Sequence, residues 1–357
     1  MAYTTINKST DHFNTKLYAG SGAVQTISGI GFEPSWIWTK ARTNQGNHKV
    51  TDQVRGLTKY VRTNGNNAEE THTNSITAVN NDGFVLGADS TNDFNASGQN
   101  YVSFNWKANG QGSSNTDGSI NTTYTSANTT AGFSISQYTG TGANATVGHG
   151  LGVAPKMIIT KCTSHTSNWG VYHKSMGATK MLNLNQTNAE ATNNGYFNNT
   201  DPTSSVFSLG DEGNDTNGSG KTYIAYCFAP VKGYSAMGSY TGNGSATDGT
   251  FVYTGFVPAF VICKVTSTTD NWMMFTNKIG SSTDSTSGFN IHSRILEANG
   301  SGAEQSVGSG QGIDFVSNGF KIREDNGNLN GSGATYIYMA FAEAPLVGSN
   351  NIPCTAR

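Results

Sequence analysis

The same set of landmarks occurs three times along this chain, and this internal repeat constrains the fold more than any other feature. Each copy opens with a Tyr-x-Gly-x-Gly turn, continues with a proline and a short apolar run, and closes with Ser-Gly-x-x-Tyr. The landmarks are Tyr18, Pro34 and Tyr101 in repeat 1, Tyr138, Pro155 and Tyr223 in repeat 2, and Tyr240, Pro258 and Tyr336 in repeat 3. The proline precedes the closing tyrosine by 67, 68 and 78 residues. We therefore expect three copies of one structural unit.

Within each repeat, the apolar residues follow the two-residue period of a β-strand. In the closing segment of repeat 1, Val102, Phe104 and Trp106 share one face. The equivalent residues are Ile224, Tyr226 and Phe228 in repeat 2, and Ile337, Met339 and Phe341 in repeat 3. No long stretch shows a helical period. The sequence therefore predicts an all-β protein of three tandem antiparallel β-sandwich domains, of the jelly-roll or lectin-like type.

The repeats also set the expected domain boundaries. Residues 1–107 would hold an N-terminal segment and the sandwich of repeat 1, residues 132–231 that of repeat 2, and residues 232–357 that of repeat 3 with a C-terminal tail. Residues 108–131 are rich in Gly, Ser, Asn and Thr, and we predict a linker or a long hairpin there. The extra residues of repeat 3, around 281–287, are expected in a loop.

Composition excludes several classes of protein. Only 12% of the residues are charged, the formal net charge is −2 and no Lys/Arg cluster exists, which argues against a nucleic-acid partner. A hydrophobic content of 35% is too high for a disordered chain. No apolar run approaches the roughly 18 residues of a membrane span, so we expect no membrane insertion. The N-terminus lacks the basic and apolar regions of a secretory signal.

The four cysteines lie far apart and form no Cys-x-x-Cys pair, which argues against a disulfide framework and a zinc site. They are Cys162, Cys227, Cys263 and Cys354, of which we expect the first three to be buried as small apolar residues. The chain also lacks the sequence signatures of nucleophile elbows, phosphate-binding loops and zinc proteases. We therefore expect no enzyme, no cofactor and no metal.

Four motifs of the repeats are distinctive: the Tyr-Thr-Gly-Asn-Gly turn at 240–244, the Gly-Phe-x-Pro turn at 31–34, the Ser-Gly-x-x-Tyr closings, and Ser-Ala-Asn-Thr-Thr-Ala-Gly-Phe-Ser-Ile at 126–135. They resemble the repeat unit of virion proteins from marine tailed bacteriophages, especially those that infect cyanobacteria. The resemblance covers nearly the whole chain. It implies a non-enzymatic structural protein of the virion, in the first place a tail-fibre or host-receptor-binding component. The alternative is a capsid decoration or head-fibre protein.

The resemblance also implies where the protein acts and with what. It would be assembled in the host cytoplasm and exposed on the surface of the particle. Its partners would be other virion proteins, further copies of the chain and a glycan of the host cell surface. A glycan-degrading tailspike enzyme is a weaker alternative, because no motif selects the pair of carboxylates that a glycosidase needs.

A glutamate recurs after an alanine in each repeat, in a chain with few acidic residues. These residues are Glu69, Glu190 and Glu304. They could contact a ligand or an ion in a loop of each domain. Alternatively, each carboxylate could accept backbone N–H bonds or pair with the recurrent lysines, Lys40, Lys161 and Lys264, because a charge inside a sandwich needs a partner.

Exposed aromatic faces beside polar groups would suit a sugar ligand. Trp169 and Trp272 each lie eight residues after the aligned lysine and follow polar stretches, so we predict a surface platform there. By contrast, Trp36, Trp38 and Trp106 lie on predicted strand faces and are expected in the core.

The loop before each closing strand is rich in Asp and Asn. Its members are Asp89, Asp93 and Asn95; Asp211, Asn214, Asp215 and Asn217; and Asp325, Asn326, Asn328 and Asn330. Their oxygen atoms could hold calcium, but no EF-hand spacing is present. Asn and Asp also favour tight turns through their own side-chain hydrogen bonds, and we favour this second interpretation.

Overall fold

The computed structural model confirms the all-β prediction, because almost all of its regular structure is antiparallel β-sheet. It describes residues 4–89, 91, 93–279, 291–292, 294–306 and 312–345. The helical elements in this part of the chain are a 3-10 turn at Ser9–Asp11 and one short helix, α1, at Asn194–Phe197. The loop expected at 281–287 and Cys354 lie outside the described residues.

Repeat 1 forms two sheets. Its strands are β1 (Phe13–Ala19), β2 (Gln25–Ile27), β3 (Trp36–Ala41), β4 (Lys49–Asp52), β5 (Lys59–Arg62), β6 (Glu70–Thr71), β7 (Ile76–Asn80), β8 (Gly83–Leu86) and β9 (Asn100–Trp106). The large sheet has the order β1-β9-β3-β4-β5-β6, and the small sheet has the order β2-β8-β7.

Repeat 2 has a similar arrangement, with one additional strand at the edge of the large sheet and one strand fewer in the small sheet. Its strands are β10 (Tyr124–Asn128), β11 (Phe133–Thr139), β12 (Ala145–Gly148), β13 (Met157–Cys162), β14 (Trp169–His173), β15 (Lys180–Asn183), β16 (Ala191–Thr192), β17 (Val206–Leu209) and β18 (Thr222–Phe228). The large sheet has the order β10-β11-β18-β13-β14-β15-β16, and the small sheet pairs β12 with β17.

Repeat 3 follows the same plan with a wider small sheet. Its strands are β19 (Ser235–Thr241), β20 (Phe251–Tyr253), β21 (Phe256–Val265), β22 (Met273–Thr276), β23 (Ile291–His292), β24 (Arg294–Glu297), β25 (Gln305–Ser306), β26 (Ile313–Val316), β27 (Gly319–Ile322) and β28 (Thr335–Pro345). The large sheet has the order β19-β28-β21-β22-β24-β25, and the small sheet has the order β20-β27-β26-β23.

The segment predicted as a linker or long hairpin packs onto repeat 2. Its C-terminal part is β10, which pairs with β11 as a hairpin. Upstream of β10, Ile120 forms a parallel bridge with Val147 of β12 and is buried in the core of repeat 2. The glycine- and serine-rich composition therefore allows close packing here: at Gly118, a Cβ atom would lie 2.4 Å from the Thr146 carbonyl oxygen.

Each repeat has its own core between the large and the small sheet. In repeat 1 this core includes Ile37, Phe84 and Tyr101. Repeats 2 and 3 have equivalent cores of their own. The opening and closing tyrosines of each repeat stack there, with ring centroids 5.1, 5.2 and 4.7 Å apart in repeats 1, 2 and 3. The two-layer unit expected for each repeat is thus present.

A fourth core joins the three repeats. The opposite faces of the three large sheets meet one another, and the alternating residues predicted to share a core face, such as Phe104 and Trp106, lie in this central core. Trp36 stacks on Tyr226 of repeat 2 at 4.7 Å between centroids, Phe104 contacts Phe260 of repeat 3 at 4.9 Å, and Phe228 contacts Phe341 at 6.2 Å. Both faces of each large sheet are therefore covered.

Candidate functional site at the repeat junctions

The recurrent glutamates lie where one repeat meets the next. The backbone N–H of Glu69 donates to the carbonyl oxygen of Thr163 in repeat 2, at 2.8 Å. The N–H of Glu190 donates to Thr266 in repeat 3 at 2.9 Å, and that of Glu304 donates back to Arg42 in repeat 1 at 2.8 Å. Because the third contact returns to the first repeat, the three junctions form a closed ring with approximate threefold symmetry.

A second backbone contact repeats around the same ring. It joins Ser167 N–H to Asn66 O at 2.9 Å, Asp270 N–H to Thr187 O at 2.8 Å, and Gly46 N–H to Ser301 O at 2.9 Å. Each junction therefore has two equivalent backbone hydrogen bonds. In an isolated repeat, these loop peptide groups would be exposed to water. In the ring they are hydrogen-bonded to the neighbouring repeat instead.

The predicted surface platform of Trp169 and Trp272 is wrong, because both indoles are buried, at 0% and 1% exposure. The Nε1–H of Trp169 donates to the carbonyl oxygen of Arg62 in repeat 1 at 2.8 Å, and that of Trp272 donates to Asn183 in repeat 2 at 3.0 Å. Of the polar residues before each tryptophan, Ser167 and Asp270 donate their backbone N–H groups across the junction, whereas residues 164–166 and 267–269 are exposed to solvent. Trp36, Trp38 and Trp106 are buried as expected.

His48 occupies the equivalent position at the third junction. Its ring is buried, and its Nδ1 accepts the Trp38 indole N–H at 2.9 Å. Burial lowers the pKa of His48 well below its ordinary value, while the backbone of Glu297 in repeat 3 acts to raise it. Glu297 ends its strand as Arg62 and Asn183 end theirs, so equivalent positions meet at the three junctions, but Nε2 of His48 has no hydrogen-bond partner among the described residues.

The recurrent lysines do not pair with the glutamates, which corrects that interpretation. Their Nζ atoms donate to the carbonyl oxygens of the following residues instead: Lys40 to Ala41 at 2.7 Å, Lys161 to Cys162 at 2.8 Å, and Lys264 to Val265 at 2.7 Å. Lys264 also reaches across the junction to the Thr187 carbonyl oxygen at 3.2 Å. Burial lowers the pKa of each of the three lysines to about 8.

The glutamate side chains pair with other cations. Glu304 lies 2.6 Å from Nε of Arg42 across the junction, and Glu69 lies 3.2 Å from Arg55. Glu190 meets Lys180 at 3.7 Å and lines a polar groove between repeats 2 and 3 with Ser239, Thr241 and Thr335. The equivalent groove between repeats 3 and 1 is lined by Arg42, Thr43, Asn100, Arg294, Ala303 and Glu304. Of the three side chains, that of Glu304 pairs across a junction, and the contact that all three glutamates share is the backbone N–H bond to the next repeat.

The sequence did not single out a buried ion pair at the first junction. Asp52 and Arg55 are fully buried and 2.6 Å apart, and Asp52 also accepts the hydroxyl of Tyr226 from repeat 2 at 2.8 Å. Burial acts to lower the pKa of Arg55, but Asp52, Tyr226 and Glu69 outweigh it, so this pKa is raised. Repeats 2 and 3 carry Met176 and Ile279 in place of Arg55. The repeat pattern therefore gave no signal for the pair.

The Asp- and Asn-rich loops form turns, as the favoured interpretation expects. In repeat 2, Asn217 donates to the carbonyl oxygens of Ala143 and Gly210, both at 2.7 Å, and accepts the N–H of Thr141 at 2.9 Å. Asn95 and Asn330 accept equivalent bonds, from Ser21 and Asn243. In the described part of the chain, no group of three or more His, Cys, Asp or Glu side chains is placed to hold a metal ion.

The cysteines behave as predicted where they are described. Cys162, Cys227 and Cys263 are free and buried. Burial raises the pKa of Cys263 to about 12 and that of Cys227 still further. Thiols with such pKa values are poor nucleophiles at neutral pH.

Comparison with known families gives one result. A family model described as a domain of unknown function, DUF7483, matches residues 8–345. Neither the curated proteins nor the solved structures contain a match. Among the described residues, no helix has the length and apolar character needed to cross a membrane.

Proposed function

The chain belongs to the DUF7483 family, whose function is unknown, and we propose that it is a non-enzymatic structural protein of a bacteriophage particle, a tail-fibre or receptor-binding component. It would be displayed on the particle surface and bind other virion proteins, further copies of itself and a host glycan. The observation that carries this proposal is the closed ring of three two-sheet units around one central core.

The ring supports a role in surface contact because its recurrent residues lie at the junctions and hold the repeats together. The indole N–H groups of Trp169 and Trp272 and the backbone N–H groups of the repeated glutamates donate across the junctions. A body whose large sheets are covered on both faces is a rigid scaffold, and such a scaffold is suited to present binding loops. The motif resemblance to virion proteins of tailed phages supports the particle as its location.

A capsid decoration or head-fibre protein is the second candidate, and the approximate threefold symmetry favours it. One copy of a ring with three equivalent junctions could make three equivalent contacts on a threefold axis of an icosahedral shell. The two candidates differ in copy number. A decoration protein would be present in hundreds of copies on the head, and a fibre component in a small multiple of three or six on the tail.

The test is to locate and count the protein on purified particles of the phage that encodes it. Antibody raised against the full chain would be imaged by gold labelling, and quantitative mass spectrometry against the major capsid protein would give the copy number. We expect tail labelling and a low copy number. Head labelling with hundreds of copies would favour decoration, and absence from the particles would contradict both candidates.

A further inference from the structure

Two aromatic side chains stand side by side on the outside of repeat 3. Phe251 and Tyr253 are 47% and 61% exposed, whereas Val252 between them is buried in the repeat core. Alternate residues of a strand point to the same face, so the two side chains share a face and start from Cα atoms about 6.6 Å apart along β20. The other two exposed large apolar side chains among the described residues, Val24 and Val153, lie singly on repeats 1 and 2.

The aromatic pair is specific to repeat 3. The strand pairing aligns Val252 with Ile27 and Val147, because each lies opposite the phenylalanine of the neighbouring strand. The positions of Phe251 and Tyr253 are then held by Thr26 and Ser28 in repeat 1, and by Thr146 and Gly148 in repeat 2. The fold therefore does not need aromatic residues here, since two of three copies form the same strand without them.

Polar groups flank the pair. Lys321 lies opposite Phe251 in the neighbouring strand, and its Nζ meets Oδ1 of Asp248 at 2.6 Å. The Asp248 side chain is 86% exposed, and its second carboxylate oxygen is open to solvent. The Phe251 ring lies over Gly319, which leaves room for it, since Cε2 is 3.2 Å from where a Cβ atom would stand.

We propose that Phe251, Tyr253 and the Asp248–Lys321 pair form a saccharide-binding site on the outer face of the small sheet of repeat 3. The C–H face of a pyranose ring packs on an aromatic ring, and its hydroxyl groups need hydrogen-bond acceptors and donors at the edge, which a carboxylate and an ammonium provide. This site supplies both. This site gives the proposed receptor contact a position on the molecule. The inference rests on the proposed function only for the biological source of the sugar.

The small size of the patch favours a sugar over a protein. Two aromatic side chains, each about half exposed, offer roughly 200 Å² of surface. A stable protein–protein interface buries about 800 Å² on each partner. A second copy of the chain docking on this patch alone would therefore bind weakly, whereas a sugar ring fits an area of this size.

The test uses the full chain on a printed array of bacterial O-antigen and capsular polysaccharides, followed by saturation-transfer NMR with the best soluble oligosaccharide. The variant Phe251→Thr/Tyr253→Ser installs the repeat 1 residues, and Thr26→Ala/Ser28→Ala is the matched control. We expect the wild type and the control to bind, the first variant to lose at least tenfold in affinity, and all three to melt alike.

Three outcomes would overturn the site: no array binding by the wild type, equal binding by the Phe251→Thr/Tyr253→Ser variant, or a wild-type dimer in sedimentation that this variant abolishes. The last would assign the patch to a second copy. If the sugar fails to bind while gold labelling finds the protein on the particle, only this inference fails. If the sugar binds but particles lack the protein, the proposed function fails and the site stands.

Discussion

At the scale of single residues, one asparagine in each repeat ties two distant loops together. Asn95, Asn217 and Asn330 each bind the Tyr-x-Gly-x-Gly turn that lies more than seventy residues earlier in the chain. The side-chain amide has two donors and an acceptor, so one residue can satisfy several backbone groups that the two loops leave unpaired. These bonds explain why Asn precedes the closing Ser-Gly-x-x-Tyr in every repeat.

We expect Asn217→Ala to lower the free energy of unfolding by about 2–4 kcal/mol, because it leaves the carbonyl groups of Ala143 and Gly210 without their donor. Urea denaturation would measure the change. The matched control is Asn214→Ala in the same loop, whose exposed side chain accepts only from Lys221 and whose loss should cost about 0.5 kcal/mol or less. Equal losses in the two variants would contradict the role given to Asn217.

At the scale of elements, the two faces of each large sheet have different neighbours. One face contacts the small sheet of its own repeat, and the other contacts the large sheets of the other two repeats. Trp106 lies wholly within the central core, where its Nε1–H finds no hydrogen-bond partner. Trp169 begins β14 and uses its Nε1–H to hold the end of β5. Two tryptophans with equal burial therefore have different roles.

This difference predicts unequal losses on substitution by phenylalanine. Trp169→Phe removes packing and also leaves the Arg62 carbonyl oxygen unpaired, whereas Trp106→Phe removes packing alone and restores the residue found in repeats 2 and 3. We expect Trp169→Phe to be the more destabilising by about 1–3 kcal/mol. Chemical denaturation of both variants would measure it, and a larger loss for Trp106→Phe would refute the junction role of Trp169.

At the scale of the whole molecule, the central core couples the three repeats. Removing one repeat would expose large aromatic side chains of the other two, among them Trp36, Phe228 and Phe341. Each repeat alone would also lose both of its junctions. The three-domain division predicted from the sequence describes how the strands are grouped. Whether a single repeat is stable alone is a separate question, which a measurement on a shortened chain would answer.

We expect the full chain to unfold in one cooperative thermal transition, with equal calorimetric and van't Hoff enthalpies. A chain ending at residue 231, which lacks repeat 3, should bind a hydrophobic dye and show no cooperative melting, because its central core is open. The reference protein is a chain that ends at residue 345 and therefore keeps all three repeats. Three separate transitions, or a native-like melt of the shorter chain, would show that the repeats are independent.

The repeat, the strand type and the residues that share a face follow from the order of residues along the chain, because these features depend on local spacing and on a two-residue period. Trp36, Trp38 and Trp106 could be placed in a core on that basis. The spacing of residues in the sequence does not show which part of the chain covers each face of a sheet. The partner of Trp169 is Arg62, 107 residues earlier, and the partner of Glu304 is Arg42 at the other end of the chain. Contacts between residues this far apart form when the ring closes, and ring closure places the recurrent tryptophans and glutamates at the junctions and leaves Phe251 and Tyr253 on the outside.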